Sequence, residues 1–367
     1  MGERPSAVIF GAGSVGRGFL GQLFSESGYD IVFVDIDQPL IEALARQGRY
    51  TLRLAGVVKT EDLNIGPLRA IHSTETDAVV AEVQQASIMA TAVGARALKA
   101  IAKPIAAGLE QRWQTGNHMP LNLVGLRPAV SARMSPVPTD AQRAGDPTLI
   151  IAEPYKILPV DRDAFIGPIP KIIGLEPVHP FIAYVERKLY LHNAGHALLG
   201  YLGYLRGYVY GYDALDDPYI SPLLHLALDE SRRALIAAHG FDRVALAEHV
   251  QDLLTRFANR ALADPIARLA RDPLRKLSPG DRLIGAARLA EQHQIEPDGL
   301  AWGIAAALAY DHPQDPHAQA LQTQLRQEGL VQTLRTICGI REDEPLADMI
   351  SQRYRRLQED ANWQKRH

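Results

Sequence analysis

Ala7-Val8-Ile9-Phe10-Gly11-Ala12-Gly13-Ser14-Val15-Gly16 joins a short apolar run to a glycine-rich turn, and Phe19, Leu20, Leu23 and Phe24 follow at helical spacing. G-x-G-x-x-G between a strand and a helix is the form of a dinucleotide-binding turn. Gly11 permits the tight turn, Gly13 lets backbone approach a pyrophosphate, and Gly16 lets the helix pack close to the strand. The helix N-terminus then offers N–H groups and a positive dipole end to phosphates; Ser14, Val15 and Arg17 join the glycines as candidate cofactor contacts. A second apolar run, Ile31 to Val34, closes at Asp35, at the distance where an acidic residue meets an adenosine ribose. A carboxylate there accepts hydrogen bonds from both ribose hydroxyls and repels a 2′-phosphate, so the predicted cofactor is NAD rather than NADP. A P-loop shares the Gly11 to Gly16 spacing but needs Lys and then Ser or Thr where this chain has Arg17-Gly18. A tight turn that binds nothing is the plainer alternative; the ordered strand, turn, helix, strand and acid favour NAD.

Further along, Ser87 to Ala90 and Leu121 to Val124 read as buried strands, with a helix from Ala95 to Leu109 between them. Short continuous apolar strands alternating with helices predict a parallel sheet covered on both faces. Arg127 to Pro147 is proline-rich and reads as a connection, Leu149 to Ala152 reads as one more strand, and Pro154 to Pro180 is again dense in proline and glycine. From Phe181 the texture changes to long amphipathic segments: Phe181 to Leu205, Pro222 to His239, Val244 to Phe257, Pro297 to Ala309 and His317 to Arg326. The expected architecture is an α/β Rossmann-like NAD-binding domain over residues 1–180 and an all-helical substrate domain over 181–367.

A chain of 367 residues is long enough for two such cores. With 47% hydrophobic and 22% charged residues, it has the composition of a globular protein. Lys plus Arg number 39 against 42 Asp plus Glu, a net charge of -3, and this lacks the basic excess of a nucleic-acid binder. No apolar run has the length of a membrane span, and Met1 to Pro5 leads straight into a strand without a secretory signal. The lone Cys338 excludes a disulfide framework or a zinc-cysteine site. A cytoplasmic protein is expected.

In the second half the informative stretch is Glu186-Arg187-Lys188-Leu189-Tyr190-Leu191-His192-Asn193-Ala194-Gly195-His196. At about 100° per residue, Asn193 lies about 140° and His196 about 80° around a helix from Lys188, so all three can face one cleft. A desolvated lysine loses pKa towards neutrality, and its amine can take a proton from an alcohol. Asn193 can steady the oxygen as charge develops, and His196 can orient a substrate hydroxyl. A solvated lysine, a capped asparagine and a satisfied core histidine make the bland alternative, and spacing alone does not separate the two.

Taken together, these residues resemble the polyol-specific long-chain dehydrogenases, the mannitol dehydrogenase family. The likeness begins at Phe10-Gly11-Ala12-Gly13-Ser14-Val15-Gly16-Arg17-Gly18-Phe19 and continues at Thr91-Ala92-Val93-Gly94, which in the family lies against the cofactor. It is strongest at Val185-Glu186-Arg187-Lys188-Leu189, with Asn193 and Gly195-His196-Ala197 in register. It returns at Asp272-Pro273-Leu274-Arg275-Lys276-Leu277-Ser278 and Gly280-Asp281-Arg282-Leu283. The resemblance implies Lys188 as general acid/base, Asn193 as oxyanion stabiliser and His196 as substrate ligand. It adds Thr91, Ala92 and Val93 to the cofactor contacts. Arg275, Lys276 and Arg282 fall in its substrate-closing segment, where cations would suit a phosphorylated sugar; a solvated helix face is the alternative.

The family uses no metal, and its reaction would be reversible hydride transfer between NAD(H) and C5 of mannitol 1-phosphate, giving fructose 6-phosphate. The chain departs from the family after Leu121-Asn122-Leu123-Val124. There Gly125-Leu126-Arg127-Pro128 stands in place of a stretch whose asparagine is a second oxyanion donor. A hexuronate or unphosphorylated-polyol dehydrogenase, or a non-catalytic binder of NAD or sugar phosphate, are the alternatives. The expected partner is a sugar alcohol or sugar phosphate, with no nucleic acid or membrane, in a monomer or small homo-oligomer. Four features read as structural. Tyr201, Tyr204, Tyr208, Tyr210 and Tyr212 pack with hydroxyls at the surface; Asp213, Asp216 and Asp217 serve turn and capping chemistry. Cys338 is a buried small hydrophobe, and Glu342 to His367 form a terminal solvated helix.

Overall fold

The computed structural model describes residues 4–116, 122–124, 133–136, 138–165 and 167–363. The chain divides into two compact units, Met1–Phe181 and Ile182–His367.

The first unit is built on β1 (Ser6–Phe10), β2 (Asp30–Asp35), β5 (Leu68–His72), β6 (Ile88–Thr91) and β7 (Asn122–Val124). They form a sheet in the order β5-β2-β1-β6-β7, every pair parallel. Alternation along β1 explains its unbroken apolar run. Ala7 and Ile9 enter one core with Phe19, Leu23, Phe24 and Phe33, while Val8 and Phe10 enter another with Val32, Val79, Val83 and Met89. Both faces are covered, as a parallel sheet requires.

Among the described residues of this unit, five strands including β5 escape a reading by apolar runs. After the helix Gln38–Gln47 the chain makes a hairpin, β3 (Tyr50–Ala55) with β4 (Thr60–Ile65), and β3 also pairs in parallel with β8 (Ile150–Ala152). β4 is Thr-Glu-Asp-Leu-Asn-Ile and β5 is Leu-Arg-Ala-Ile-His, half-exposed strands whose polar faces interrupt the hydrophobic signal. β9 (Leu158–Asp161) and β10 (Leu175–Val178) form a separate parallel pair inside the proline-rich stretch. Within the expected connection 127–147, Thr139 and Gln142 close a reciprocal capping box on a short helix, Asp140–Gly145. The departure at 125–128 lies outside the described residues. The helix expected from Ala95 to Leu109 runs further, as Leu98–Gln114 behind a short 3-10 turn.

The second unit is helical, with one isolated bridge between Tyr210 and Pro265 among the described residues. Its centre is the helix Ala194–Leu205, apolar on nearly every side and buried almost throughout. It packs on Ile220–His239, Ile266–Ala270 and Asp298–Leu308. Gly200 permits one of these approaches: a Cβ there would stand 2.8 Å from Leu269 Cβ and 2.9 Å from the Ala270 nitrogen.

Two structural expectations need correction in this unit. Tyr201 is fully buried and its hydroxyl finds no hydrogen-bond partner, so it does not present that group at the surface. The tail is not a purely solvated helix either. Pro345–Glu359 buries Leu346, Ile350 and Leu357, and Trp363 lies against Trp302 at 5.7 Å. Asp217 does cap, accepting from the Tyr219 and Ile220 N–H groups, and it also pairs with Arg206 at 2.8 Å.

Candidate functional site

The glycine-rich turn follows β1 directly. Gly11 has a φ of +102°, and a Cβ on it would press to 2.7 Å from the Ala92 carbonyl oxygen. A Cβ on Gly16 would fall 1.8 Å from the Gly11 oxygen, so the helix start and the strand end meet only because both are glycine. A Cβ on Gly13 would meet nothing within 4 Å, which leaves the outer side of the turn open to a ligand. Ser14 and Val15 are exposed at the helix start. Thr91 ends β6 beside Phe10, and the Ala92 N–H donates to the Phe10 carbonyl at 2.7 Å. Ala92 and Val93 thereby stand against Gly11, with the Val93 side chain 3.2 Å from where its Cβ would be.

Asp35, at the end of the adjacent strand, is tied to the same turn. Its Oδ2 accepts the Ala12 N–H at 2.5 Å, and its Oδ1 accepts from Ile36 at 2.7 Å and Asp37 at 3.1 Å. The carboxylate is oriented before any ribose arrives. Arg17 takes a different part. It is buried, its Nε donates to the Ala12 carbonyl at 2.5 Å, and another guanidinium nitrogen donates to the Thr148 carbonyl. The Tyr50 hydroxyl donates to the Arg17 carbonyl at 2.6 Å. Arg17 braces the turn from behind.

In the second unit the helix begun at Phe181–Arg187 widens to a π turn over Lys188–Asn193 before resuming as Ala194–Leu205. The Ala194 N–H reaches back five residues to the Leu189 carbonyl. The uniform 100° rotation of an α-helix therefore does not apply here, and the wider turn brings Asn193 back towards the Lys188 side. Lys188, Asn193 and His196 are each half-buried. Among the described residues, none of the three side chains has a hydrogen-bond or ion-pair partner. Burial, and then the positive charge of Arg282, push the Lys188 pKa below that of an ordinary lysine.

His196 stacks on Phe257 with ring centroids 4.0 Å apart, and the buried His192 stands edge-on to it at 4.7 Å. Burial, with Arg268 and Arg256 adding their charges, holds the His196 imidazole neutral. His192 is neutral for the same primary reason, and its Nδ1 is buried without a partner. Sequence spacing gave no sign of Arg256, Arg268 or Phe257 at this place, because they come from distant elements.

The three expected substrate cations differ in their surroundings. Arg282 is largely buried, pairs with Asp281 at 2.6 Å, and acts electrostatically on both Lys188 and His196. Arg275 is exposed and pairs with Asp272 at 2.8 Å. Lys276 is buried, donates to the Leu269 carbonyl and lies 5.3 Å from the Tyr201 ring centroid; burial pushes its pKa down to about 7. No group of three or more His, Cys, Asp or Glu side chains gathers to hold a metal among the described residues. No helix there is long and apolar enough to cross a membrane.

Comparison with known proteins adds the wider context. Solved structures share the fold. A Pseudomonas fluorescens mannitol 2-dehydrogenase matches with a TM-score of 0.75 at 18% identity, covering 98% of this chain and 93% of its own. A D-sorbitol dehydrogenase matches with 0.78 at 17%, covering 99% and 95%. Two mannitol-1-phosphate 5-dehydrogenases are closer in sequence: that of Bacillus licheniformis is 36% identical, and that of Bacillus subtilis 35%, each over 94% of this chain and 98% of the relative. The mannitol dehydrogenase Rossmann domain matches residues 5–125 and the mannitol dehydrogenase C-terminal domain matches residues 180–359. With both domain models matched in order and relatives above 30% identity along nearly its whole length, the chain belongs to the mannitol dehydrogenase family.

Proposed function

We propose that the chain is an NAD-dependent polyol dehydrogenase that interconverts mannitol 1-phosphate and fructose 6-phosphate, with Lys188 as general acid/base. The relatives at 35–36% identity carry that activity in their names. The observation that carries the site assignment is the state of three side chains. Lys188 and Asn193 on the widened turn and His196 on the helix that follows it are half-buried, and among the described residues their polar atoms make no hydrogen bond or ion pair, whereas the nearby Arg282, Arg268 and Lys276 all have partners.

The glycine turn and Asp35 fit the cofactor. The open side of Gly13 admits a pyrophosphate, and the fixed Asp35 carboxylate suits ribose hydroxyls and opposes a 2′-phosphate. Bound NAD supplies the hydride acceptor. The chain supplies the rest: burial and then Arg282 disfavour the Lys188 ammonium, and its neutral amine takes the carbinol proton on Nζ. Asn193 donates its amide N–H to the alkoxide oxygen as charge develops there. The neutral His196 ring, held against Phe257, orients a neighbouring hydroxyl. In the reducing direction the Lys188 ammonium returns the proton to the ketone oxygen. Ser14 and Val15 present backbone to the cofactor. Arg275 and Arg282 give the phosphate its cations, while Arg17 and Lys276 act as braces.

The experiment is NADH oxidation followed with fructose 6-phosphate, fructose, tagaturonate and fructuronate in parallel, on wild type and Lys188→Ala. Turnover of the phosphate alone supports the reading. Lys188→Ala should lose at least about a hundredfold in kcat while NADH still quenches protein fluorescence as it does in wild type. Retained turnover in the variant would remove Lys188 from the mechanism. Preferred turnover of a hexuronate would move the substrate assignment to that class.

A further inference from the structure

His72 lies outside every motif that marks the nucleotide turn, yet it stands directly beside Asp35. The two residues are register partners at the carboxyl ends of β5 and β2. The His72 ring lies between the two loops that leave these strands. Its Nε2 is 3.0 Å from the Ile36 carbonyl oxygen, and its Nδ1 is 2.7 Å from Thr74 Oγ1 and 3.4 Å from the Thr74 nitrogen. The Ile36 oxygen can only accept, so Nε2 carries the proton and donates. Nδ1 is then the acceptor, which suits its contacts with the Thr74 hydroxyl and N–H.

The Ile36 carbonyl and the Asp37 N–H belong to one planar peptide unit. That N–H donates to Asp35 Oδ1 at 3.1 Å, beside the Ile36 N–H at 2.7 Å. Holding the carbonyl fixes the plane, and the plane fixes one of the three backbone donors that orient the carboxylate, beside the Ala12 and Ile36 N–H groups. Ile36 itself is 80% exposed, so no packing of its side chain does this work. We propose that His72 is a positioning residue for cofactor recognition: through the Ile36–Asp37 peptide it sets the Asp35 carboxylate in the orientation that receives the adenosine ribose. This inference rests on the reading of the turn as an NAD site. It assigns to β5 a part in cofactor preference that the glycine motif and Asp35 do not by themselves predict.

The test is direct binding of NADH and NADPH, with cofactor KM and kcat, for wild type, His72→Ala, His72→Gln and Thr74→Val. Loss of one neutral hydrogen bond should weaken NADH binding by His72→Ala about fivefold. The loss should fall on cofactor KM rather than kcat, and the preference for NADH over NADPH should narrow. Glutamine carries an N–H donor that reaches the Ile36 carbonyl, so His72→Gln should recover most of the affinity. Thr74→Val frees the far side of the ring and should shift both readouts the same way by a smaller factor; it serves as the decisive variant if His72→Ala does not fold.

Folded variants that bind NADH within twofold of wild type and keep its cofactor preference would overturn the inference while leaving the NAD reading intact. Equal loss of NADH and NADPH affinity without rescue by glutamine would also overturn it, as mere loosening of the loop. Failure of wild type to bind NADH would instead overturn the parent reading, and the inference with it.

Discussion

Lys188 and Arg282 form a pair of cations in which only one has a counterion. Asp281 answers Arg282 at 2.6 Å, and no carboxylate lies within ion-pair distance of Lys188 among the described residues. Burial makes the larger contribution to the lowered Lys188 pKa and Arg282 the next. Polyol oxidation needs the neutral amine, so kcat/KM should rise with pH through that lowered value. In Arg282→Gln a repelling charge disappears and Asp281 loses its nearer cation, keeping only Arg275 at 3.8 Å among the described residues. Both changes favour the Lys188 ammonium, so the rising limb should move to more alkaline pH. A pH profile of kcat/KM in the oxidising direction checks this, and an unmoved or acid-shifted limb would show that the titrating base is another group. Ground-state affinity for a phosphorylated substrate should fall as well, but that loss lowers the whole curve without displacing its limb.

At the scale of elements, the helix Asp298–Leu308 packs directly on the site-bearing helix Ala194–Leu205 and has no side-chain cap of its own. Glu230, from Ile220–His239, supplies one. It is buried, with Oε1 accepting from the Gly299 N–H at 2.8 Å and Oε2 from the Leu300 N–H at 3.0 Å. Burial outweighs these two bonds and pushes its pKa up to about 7. The folded state therefore holds a proton that the unfolded chain has released, between the ordinary value of 4.5 and about 7. Stability from this group is present below that window and is lost as pH rises through it, by about 3 kcal/mol. Glu230→Gln should remove the slope, at a cost of about 1 kcal/mol for the acceptor it lacks. Melting temperatures of both proteins at pH 5 and pH 8 check this; parallel lines would rule it out.

Such elements also show what a single sequence makes legible. β1, β2 and β6 are buried on both faces and read as unbroken apolar runs, and the glycine turn has steric demands that only glycine meets. The hairpin of β3 and β4 gives no such signal, because Glu61 and Asp62, on opposite faces of β4, are both exposed. The π turn at Lys188–Asn193 has no residue signature, so spacing placed Asn193 at the wrong rotation. Arg256, Arg268 and His72 reach their places through tertiary pairing, which no local pattern records.

Over the whole molecule, a net charge of -3 would repel a phosphorylated substrate, yet the second unit gathers positive charge around His196. Arg268, Arg256, Lys276 and Arg282 all act on that ring, and Arg282 acts on Lys188 too. Asp264, Asp252 and Asp281 answer Arg268, Arg256 and Arg282, while Lys276 donates to a backbone carbonyl and, with its pKa pushed down to about 7, adds a partial positive charge that no carboxylate among the described residues pairs with. A local cationic field within an acidic protein draws in a dianion over distances set by the Debye length, which falls from about 30 Å at 0.01 M salt to about 8 Å at 0.15 M. Raising salt across that range should therefore raise KM for fructose 6-phosphate severalfold, through slower capture, and leave kcat nearly unchanged. A neutral ketose, if turned over at all, should show no such dependence. Initial rates at four or five ionic strengths, with both substrates on the same preparation, measure this directly. Equal salt dependence for the two would mean that the cluster serves the fold and not the phosphate, and the substrate assignment would then rest on the relatives alone.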